Sequence, residues 1–375
     1  MKIIYITNLR IPTEKAHGYQ ICKMCEEFSD TGIEVELLIP SRYNNIKEDA
    51  FVFYELKKNF KIKIIKSFDF IKLEKYFGKF SFYFQKIWFL FKLIFQRISK
   101  DNIVYSRDAE IIWLFNLKGN KTVFTAHNWP NSKVWLYKYL LKRVDKIICN
   151  SRGTEKKFRD NGFKNTISAP NGVDLEKFSS TGDADVLKKE LGLPNKKIIM
   201  YSGHLYKWKG VDVVLESAKI LSEEKNVVFV LVGGTAPDIK KYKKYLEEHK
   251  IDNVIITGYQ KRDKIPKYLK CADILLLPNI PISEESISET SPIKMFEYMA
   301  VKRPIIASNM TSIREVLNEN NSVLVEPGNP KILSGAIKKL LDGNAFAKKI
   351  SNKAFFDVQK YTWEKRARKI INFIR

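Results

Sequence analysis

Short apolar, β-branched runs alternate with amphipathic stretches along most of the chain. Such continuous apolar runs, when helical patterns separate them, indicate parallel strands that are covered on both faces. Six runs lie in the first half and six in the second, and together they predict two doubly wound α/β domains. The runs are KIIYIT, EVELLIP, KIKIIKS, NIVYS, KTVFTAH and DKIICNS, followed by KKIIMYSG, NVVFVLVGG, NVIITGY, DILLLPN, RPIIAS and SVLVEP.

A polar, punctuated segment separates the two series. Residues 171–197, NGVDLEKFSSTGDADVLKKELGLPNKK, have the pattern of a linker. We therefore predict a first domain over residues 1–175 and a second over 176–360. The last segment, residues 361–375, contains TWEKRARKI and has the pattern of a basic amphipathic helix.

The aromatic stretch FGKFSFYFQKIWFLFKLIFQRISK, Phe77 to Lys100, has the pattern of an amphipathic helix. Lys86 and Lys92 interrupt it, so its apolar runs are too short to span a bilayer. On a helical wheel its polar side contains Ser81, Gln85, Lys86, Lys92, Gln96, Arg97 and Lys100. The apolar side contains Phe80, Phe84, Ile87, Phe91, Ile94, Phe95 and Ile98.

Two interpretations of this helix stay open. It can be a crossover helix whose apolar face packs on its own sheet, or a membrane-surface helix with lysines at the headgroups. Phe82, Phe89 and Leu93 lie on or beside the polar side, where a simple core helix would not need them. We therefore favour at least partial contact with an anionic membrane surface.

The positive net charge of the chain indicates an acidic binding partner. The chain has 375 residues and a formal net charge of +24. Such a surplus is typical of proteins that meet nucleic acid, an anionic membrane or phosphorylated substrates. No nucleic-acid-binding motif accompanies it, so we expect no nucleic-acid partner. The strand-like start MKIIYITNLR and four cysteines without a disulfide pattern predict a cytoplasmic protein.

The segment ETSPIKMFE places two carboxylates beside a predicted helix start. Ser291 can cap the helix, and Pro292 suits its first position. Glu289 then lies just before the helix and Glu297 about a turn and a half into it. Because the N-terminus of a helix attracts anions, this arrangement fits a phosphate-bearing ligand with hydroxyl groups at both ends.

Other candidates follow predicted strands. Lys209 and His204 lie in the basic loop GHLYKWKG after the first strand of the second series, where a lysine can reach a diphosphate. In the first series Gly18 lies at a helix start, and His127 lies at a strand end. A solvated lysine turn and an ordinary loop histidine are the alternatives. There is no Walker motif and no metal-spaced His/Cys cluster in the sequence.

These motifs together resemble the retaining nucleotide-sugar glycosyltransferases of family 4, which have the GT-B architecture of two Rossmann-like domains facing a cleft. The matching segments cover nearly all of residues 169–330. In order they are APNGVD, YSGHLYKWKGVDVVLESA, VFVLVGG, VIITGY, ADILLLP, ETSPIKMFEYMAVKRPIIAS and VLVEPGNP. The first half matches more loosely, and TWEKRARKI resembles the helix that returns to the first domain in this fold.

The resemblance implies a role for each residue on the donor side. Glu297 would hold the ribose hydroxyls, and Glu289 would lie against the donor sugar and take part in catalysis. The backbone N–H groups of Ile293 and Lys294 would cradle the β-phosphate, with Ser291 in the same donor-binding set. Lys209 would neutralise the departing diphosphate.

The resemblance implies roles for three further residues, and two positions depart from the family pattern. His127 would lie near the reacting carbon, Gly18 beside the phosphates and Tyr259 near the base. His204 stands where the family usually has arginine, which would weaken the phosphate clamp. Pro292 stands where glycine is common, which limits the freedom of the backbone.

The resemblance therefore implies a hexosyltransferase. The expected reaction moves a sugar, with retention, from a nucleoside-diphosphate sugar to a membrane-associated glycan or lipid-linked saccharide in cell-surface polysaccharide synthesis. We expect no cofactor, no required metal, and a peripheral place on the cytoplasmic membrane. A nucleotide-sugar epimerase of the same fold, and a catalytically silent membrane-bound scaffold, are the alternatives.

Overall fold

A computed structural model describes residues 1–179 and 182–375. Their contacts divide the chain into two compact units. The first unit comprises Met1–Asn150, Thr154–Ala169 and Trp363–Arg375. The second comprises Ser151–Gly153 and Pro170–Thr362.

Each unit is built on a parallel sheet. The strands of the first unit are β1 (Lys2–Ile6), β2 (Glu34–Pro40), β3 (Lys61–Ile65), β4 (Ile103–Ser106), β5 (Lys121–Ala126), β6 (Lys146–Cys149) and β7 (Thr166–Ser168). The strands of the second unit are β8 (Lys197–Ser202), β9 (Val227–Val232), β10 (Val254–Gly258), β11 (Ile274–Leu277), β12 (Ile305–Ser308) and β13 (Val323–Val325). Their spatial orders are β3-β2-β1-β4-β5-β6-β7 and β10-β9-β8-β11-β12-β13.

Helices cover these sheets. In chain order they are α1 (Ala16–Asp30), α2 (Ala50–Tyr54), α3 (Glu74–Phe77), α4 (Phe80–Ile94), α5 (Ala109–Leu117), α6 (Val134–Leu141), α7 (Arg152–Asp160), α8 (Leu175–Ser179), α9 (Ala184–Glu190), α10 (Val211–Ile220), α11 (Ala236–Glu248), α12 (Ile265–Cys271), α13 (Ile293–Ala300), α14 (Thr311–Arg314), α15 (Pro330–Asp342), α16 (Asn344–Val358) and α17 (Trp363–Ile374).

The prediction of two doubly wound α/β sheets is confirmed. Every apolar run predicted as a strand forms one, because both faces of a central parallel strand are buried and its sequence is continuously apolar. The prediction missed β7, whose three residues Thr-Ile-Ser at the sheet edge give no such run.

The segment predicted as a linker was wrongly interpreted. Residues 171–197 contain α8 and α9, and Phe178 and Leu187 are buried in the core of the second unit. A few apolar side chains in a mostly polar segment anchor both helices, because Val173 is also buried and Leu175, Leu191 and Leu193 pack against the same core. Ser180 and Thr181, in the same segment, lie outside the described residues.

Helix α4 packs on the first sheet through the side that the helical wheel identified as polar. Phe89 and Leu93 are fully buried among Ile4, Val104 and other core residues. Ser81 and Gln85 are also buried: Ser81 Oγ donates to the Gly78 carbonyl at 2.8 Å, and Gln85 Oε1 accepts from the Phe70 N–H at 3.0 Å. Gln85 Nε2 is buried without a hydrogen-bond partner among the described residues. The wheel had placed Ser81 and Gln85 in solvent.

The predicted apolar face of α4 is therefore exposed. Ile98 packs against the core, but the other members of that face have between 44% and 67% of their surface accessible. They are Phe80, Phe84, Ile87, Phe91, Ile94 and Phe95. A crossover helix that buries its apolar face is contradicted, although α4 does pack on its own sheet.

This orientation predicts that replacing two nearby phenylalanines changes the free energy of unfolding by very different amounts. Phe89→Ala should lower the free energy of unfolding by about 3–5 kcal/mol, because it leaves a cavity in the core. Phe91→Ala should change it by about 0.5 kcal/mol or less, because Phe91 is exposed. Urea unfolding followed by circular dichroism measures both variants. Equal destabilisation by the two changes would contradict the orientation.

Candidate functional site

The second sheet has a topological switch point between β8 and β11. In doubly wound sheets the loops that follow the two central strands leave in opposite directions at this point and open a crevice where ligands bind. Here those loops are residues 203–210 after β8 and residues 278–292 after β11. Nearly all donor-side candidates from the sequence lie in these two loops or at the start of α13.

The two loops contact each other through their backbones. The Ile280 N–H donates to the Trp208 carbonyl at 3.0 Å. Gly210 has a φ of +76°, and a Cβ atom there would lie 1.7 Å from the carbonyl oxygen of Pro278. Only glycine fits both the left-handed backbone and the close approach. The loop that contains Lys209 is thereby fixed against the segment that leads to Glu289.

Lys209 is a half-buried cation in this crevice. Its Nζ lies 3.5 Å from the centroid of the Trp208 ring. Burial lowers the pKa of Lys209 to about 7, and the charge of Glu285 opposes this shift only in part. Burial therefore disfavours the charged ammonium form of Lys209, and a bound anion would offset this penalty.

Lys294 contributes a second cation that sequence reasoning missed, since only its backbone N–H had been considered. Its Nζ donates to the Ser202 carbonyl at 3.0 Å and lies 3.7 Å from the centroid of the Tyr201 ring. Burial, followed by the charge of Lys209, holds the pKa of Lys294 well below its ordinary value. In the described part of the chain neither lysine forms an ion pair with a carboxylate.

Glu297 is buried in α13 and already has a partner. Its Oε1 accepts from Arg262 Nη2 at 2.6 Å. Arg262 follows β10 in the short basic run Lys-Arg, which by itself gave no signal of this contact. Glu289 is also buried and ends a single π-helical turn, Glu285–Glu289. Both glutamates lie where the sequence placed them, on either side of the start of α13.

The predicted start of this helix is off by one residue. Helix α13 begins at Ile293, so Pro292 occupies the cap position instead of the first helical position. Ser291 does not cap the helix, because its Oγ accepts from the Asn171 N–H at 3.1 Å while Asn171 Nδ2 donates to the Ser291 carbonyl at 2.6 Å. No side chain caps α13, so its first N–H groups, those of Ile293 and Lys294, have no partner within the helix.

The remaining donor-side candidates lie on either side of these cations. The His204 ring stacks on Tyr206, with 4.9 Å between centroids and 5° between planes. Its carbonyl accepts from Tyr201 Oη at 2.6 Å. Tyr259 follows β10, and half of its surface is accessible. An exposed aromatic ring at a strand end is available for stacking.

The first-unit candidates have different environments. His127 follows β5 and is half-buried; burial, then the charges of Arg107, Arg366 and His17, hold its pKa well below the ordinary value, so the imidazole is neutral at physiological pH. Gly18 lies inside α1, and a Cβ atom there would lie 2.2 Å from Tyr54 Oη. Packing against Tyr54 therefore accounts for this glycine without a ligand.

The described residues contain neither a cluster of metal ligands nor a helix that could span a membrane. Among the residues that the structure describes, no three His, Cys, Asp or Glu side chains gather closely enough to hold a metal ion. Every described helix also falls short of the length and apolarity needed to cross a bilayer. Whether the reaction needs a metal stays a prediction. Cys22 and Cys25 are free thiols buried in α1.

Comparisons with known proteins identify both halves of the chain. The family model "Glycosyltransferase Family 4" matches residues 18–177, and "Glycosyl transferases group 1" matches residues 183–355. Relatives include the putative teichuronic acid biosynthesis glycosyltransferase TuaC of Bacillus subtilis, 23% identical over 63% of this chain and 57% of that protein. Another is the putative colanic acid biosynthesis glycosyl transferase WcaI of Escherichia coli, 29% identical over 54% of this chain and 50% of that protein.

The matched region spans about half the length of the curated relatives. Similarity of fold extends further. The crystal structure of Anabaena HepE with UDP and glucose superposes on 99% of this chain and 98% of its own, with a TM-score of 0.75 and 15% identity. This agreement confirms the GT-B fold class.

The environment of Lys209 predicts a pH-dependent stability effect. Its pKa is about 7 in the folded protein and near 10.4 when unfolded, so between these values the unfolded state binds more protons and stability rises with pH. Lys209→Met should therefore stabilise the unliganded protein most below pH 7, and this advantage should shrink as pH rises. Melting temperatures at several pH values measure it.

Lys207 gives the matched control, because it is exposed in the same turn. Lys207→Met should leave the pH profile of the melting temperature parallel to that of the wild type. A parallel profile for Lys209→Met as well would contradict the assigned environment.

Proposed function

The chain belongs to glycosyltransferase family 4, and from this premise we propose that it is a retaining hexosyltransferase. It takes a sugar from a nucleoside-diphosphate sugar and transfers it to a hydroxyl group of a membrane-associated glycan or lipid-linked saccharide. The UDP and glucose bound to HepE support the donor class. The names of TuaC and WcaI support a role in cell-surface polysaccharide synthesis.

One observation carries the proposal: two half-buried lysines, which form no ion pair with a carboxylate of the described residues, lie beside the uncapped start of α13. Unpaired ammonium groups out of water are costly unless an anion joins them. The pKa shifts of Lys209 and Lys294 express this cost. A diphosphate matches the site because it carries two anionic groups that two cations and a helix N-terminus can meet together.

The same groups provide the catalysis that we propose. The bond between the anomeric carbon and the diphosphate breaks, the acceptor oxygen bonds to that carbon, and the acceptor proton passes to the leaving phosphate. Lys209 and Lys294 stabilise the charge that develops on this phosphate. Lys294 would thus supply the cation that the family usually has at position 204, where this chain has histidine.

The carboxylates and His127 take the sugar-facing roles. Glu297 binds the ribose hydroxyls, held in orientation by Arg262, and Glu289 lies against the donor sugar. The neutral imidazole of His127 can accept a hydrogen bond from a sugar hydroxyl, which a protonated ring could not do. No step is assigned to a metal.

A nucleotide-sugar epimerase and a silent scaffold are the rival functions. Transfer releases a free nucleoside diphosphate in step with a new glycosidic bond, whereas an epimerase converts its substrate without an acceptor. A scaffold would release nothing. The basic, aromatic first unit favours the transferase, because an epimerase has no need of a membrane acceptor.

Nucleotide binding tests the donor site. We expect one of UDP, GDP or ADP to bind the full-length protein selectively in isothermal titration calorimetry. Lys294→Met should weaken the diphosphate by about ten-fold or more while leaving the matching nucleoside unchanged, because it loses a charge-assisted contact to phosphate alone. Glu297→Gln should weaken the diphosphate and the nucleoside alike, because both carry the ribose.

Exposed Glu326 and Lys207 provide matched controls. Glu326→Gln and Lys207→Met should bind as the wild type does. Failure of every nucleoside diphosphate to bind would overturn the proposed function. Selective binding that Lys294→Met leaves unchanged would reject only the role of that lysine.

The exposed face of α4 supports the membrane part of the proposal. We define the aromatic surface as Phe80, Tyr83, Phe84, Ile87, Phe91, Phe95 and Trp135, all exposed. Trp135 comes from α6, whose preceding residue Lys133 places its Nζ 6.0 Å from the centroid of the Tyr83 ring. A contiguous apolar patch of this kind marks an interaction site on a soluble unit.

Charge selects an anionic membrane as its partner. Residues 57–100 contain twelve lysines and arginines and two acidic residues. Exposed Lys75 and Lys79 lie next to the aromatic surface in sequence, and Lys92 Nζ lies 5.2 Å from the Trp88 ring centroid. Aromatic side chains at the acyl boundary with lysines at anionic headgroups form the interfacial pattern. We place this contact on the cytoplasmic face of the membrane.

Vesicle binding tests this contact. Changing Phe80, Ile87 and Phe91 together to serine should weaken binding to phosphatidylglycerol-containing vesicles by at least about 100-fold, since each removes more than about 1 kcal/mol of apolar burial. The variant should stay folded, because these side chains are exposed. Binding to purely phosphatidylcholine vesicles should be weak for every form.

The second unit offers a matched control with the same three side chains. Phe346, Phe356 and Ile332 are exposed there, and their joint change to serine should not alter vesicle binding. Equal binding by both triple variants, or unfolding of the α4 variant, would contradict a membrane role for the aromatic surface.

A further inference from the structure

The first unit has its own switch point, and a cluster of cations lies there. Its sheet order reverses between β1 and β4, so the loops after these strands open a second crevice where ligands gather. Arg107 follows β4 directly, His127 follows the adjacent strand β5, and His17 lies in the first turn of α1, which follows β1. Arg366 joins them from α17, the last helix of the same unit.

The two arginines lack carboxylate ion pairs. In the described chain Arg107 Nη1 donates to Gln20 Oε1 at 3.3 Å, and Arg366 Nη1 donates to the Ala169 carbonyl. Neighbouring arginines differ, because Arg10 is paired with Glu14 at 2.9 Å and Arg42 with Asp69 at 3.8 Å. Asp108 follows Arg107 in the chain, and its Oδ2 accepts from the Asn8 N–H at 3.1 Å.

Two buried polar atoms at this edge of the sheet also have no hydrogen-bond partner among the described residues. Arg366 has 5% of its surface accessible, and its Nε has no hydrogen-bond partner. Thr7 Oγ1, at the end of β1, is buried without a partner as well. Buried polar groups normally find partners, and each exception calls for an explanation such as an absent ligand.

The positive charges of this cluster lower the pKa of neighbouring members. Burial and then the charges of Arg107 and Arg366 lower the pKa of His127. Burial lowers the pKa of Arg366 to about 10; Tyr105 and Tyr5 oppose this shift, and Arg107 adds to it. Like charges gathered out of water repel each other. The positive end of α1 adds to the same potential.

We propose that this cluster binds an anionic group of the acceptor, either a carboxylate or a phosphate. Arg107 is half-buried and is the residue that such a group can touch, while Arg366 is buried and strengthens the positive potential from within. The guanidinium fork matches both anions with two parallel hydrogen bonds. The inference rests on the proposed function and narrows its acceptor to acidic sugars and sugar phosphates.

The acceptor is favoured over the donor for a physical reason. The diphosphate of the donor already has two lysines and the start of α13 in the second unit. A second set of cations in the other unit is then available for a different anion. Acidic sugars and lipid-linked sugar diphosphates both supply one, and the experiment separates them.

The test uses the full-length protein and three soluble probes: D-glucuronate, glucose 6-phosphate and glucose. Ligand-observed NMR should detect binding of at least one acid and little binding of glucose. Arg107→Gln should weaken that acid by about ten-fold or more, because a charge-assisted pair is lost. Arg143→Gln, at an exposed arginine of the same unit, should behave as the wild type.

A second variant, Arg366→Lys, tests the cluster without removing a buried charge. Arg366 is buried, so Arg366→Lys keeps its charge while losing the fork, and it should weaken the acid less than Arg107→Gln does. Preference for glucuronate would identify an acidic-sugar acceptor, and preference for glucose 6-phosphate a phosphorylated one. Either result supports the anion site.

Other outcomes overturn it and are separable from failure of the donor site. Binding of neither acid to the wild type, or equal binding by Arg107→Gln, would reject the inference even where nucleoside diphosphates bind. Loss of nucleoside diphosphate affinity in Arg107→Gln, with acid binding unchanged, would assign the arginine to the donor. If no nucleoside diphosphate binds the wild type, the proposed function fails whatever the acids do.

Discussion

The candidate donor site depends on one backbone contact, the passage of Gly210 against the carbonyl of Pro278. At a switch point the loops after the two central strands leave in opposite directions and have no inherent reason to touch. The absence of a Cβ atom at Gly210 lets them meet, and the Ile280–Trp208 hydrogen bond fixes the register between them. Cations held in this way need no rearrangement when charge develops on a ligand, which is the condition for electrostatic catalysis.

Cations that form no ion pair with a carboxylate of the described residues are a shared feature of both switch points. Ordinary surface ion pairs are worth little. Lys209 and Lys294 in one unit, and Arg107 and Arg366 in the other, instead lie partly or fully out of water without carboxylates. Holding them costs stability in the free protein, and anion binding recovers it. The chain thus concentrates a small part of its +24 charge where that charge has the largest effect.

What the sequence could predict follows from how local each signal is. Buried parallel strands are continuous apolar runs, so nearly all strands were found. The start of α13 was misplaced because the Ser291 hydroxyl bonds to Asn171, which lies 120 positions away. The Arg262–Glu297 pair and the path of the Lys294 side chain depend on tertiary packing in the same way. Arg107 was invisible because an arginine after a strand has no pattern until its neighbours are known.

Helix α4 shows that a correct amphipathic pattern does not determine which face meets the core. A helical wheel identifies two faces but not which one meets the core, and the usual rule sends the apolar face inward. Here the hydrogen bonds made by Ser81 Oγ and Gln85 Oε1 help the other face to pack, with Phe89 and Leu93 as its apolar contacts. Leaving the larger apolar face in water costs free energy that folding alone does not recover, so its retention calls for an apolar partner outside the chain. The lysines beside this face are the reason we propose an anionic membrane as that partner.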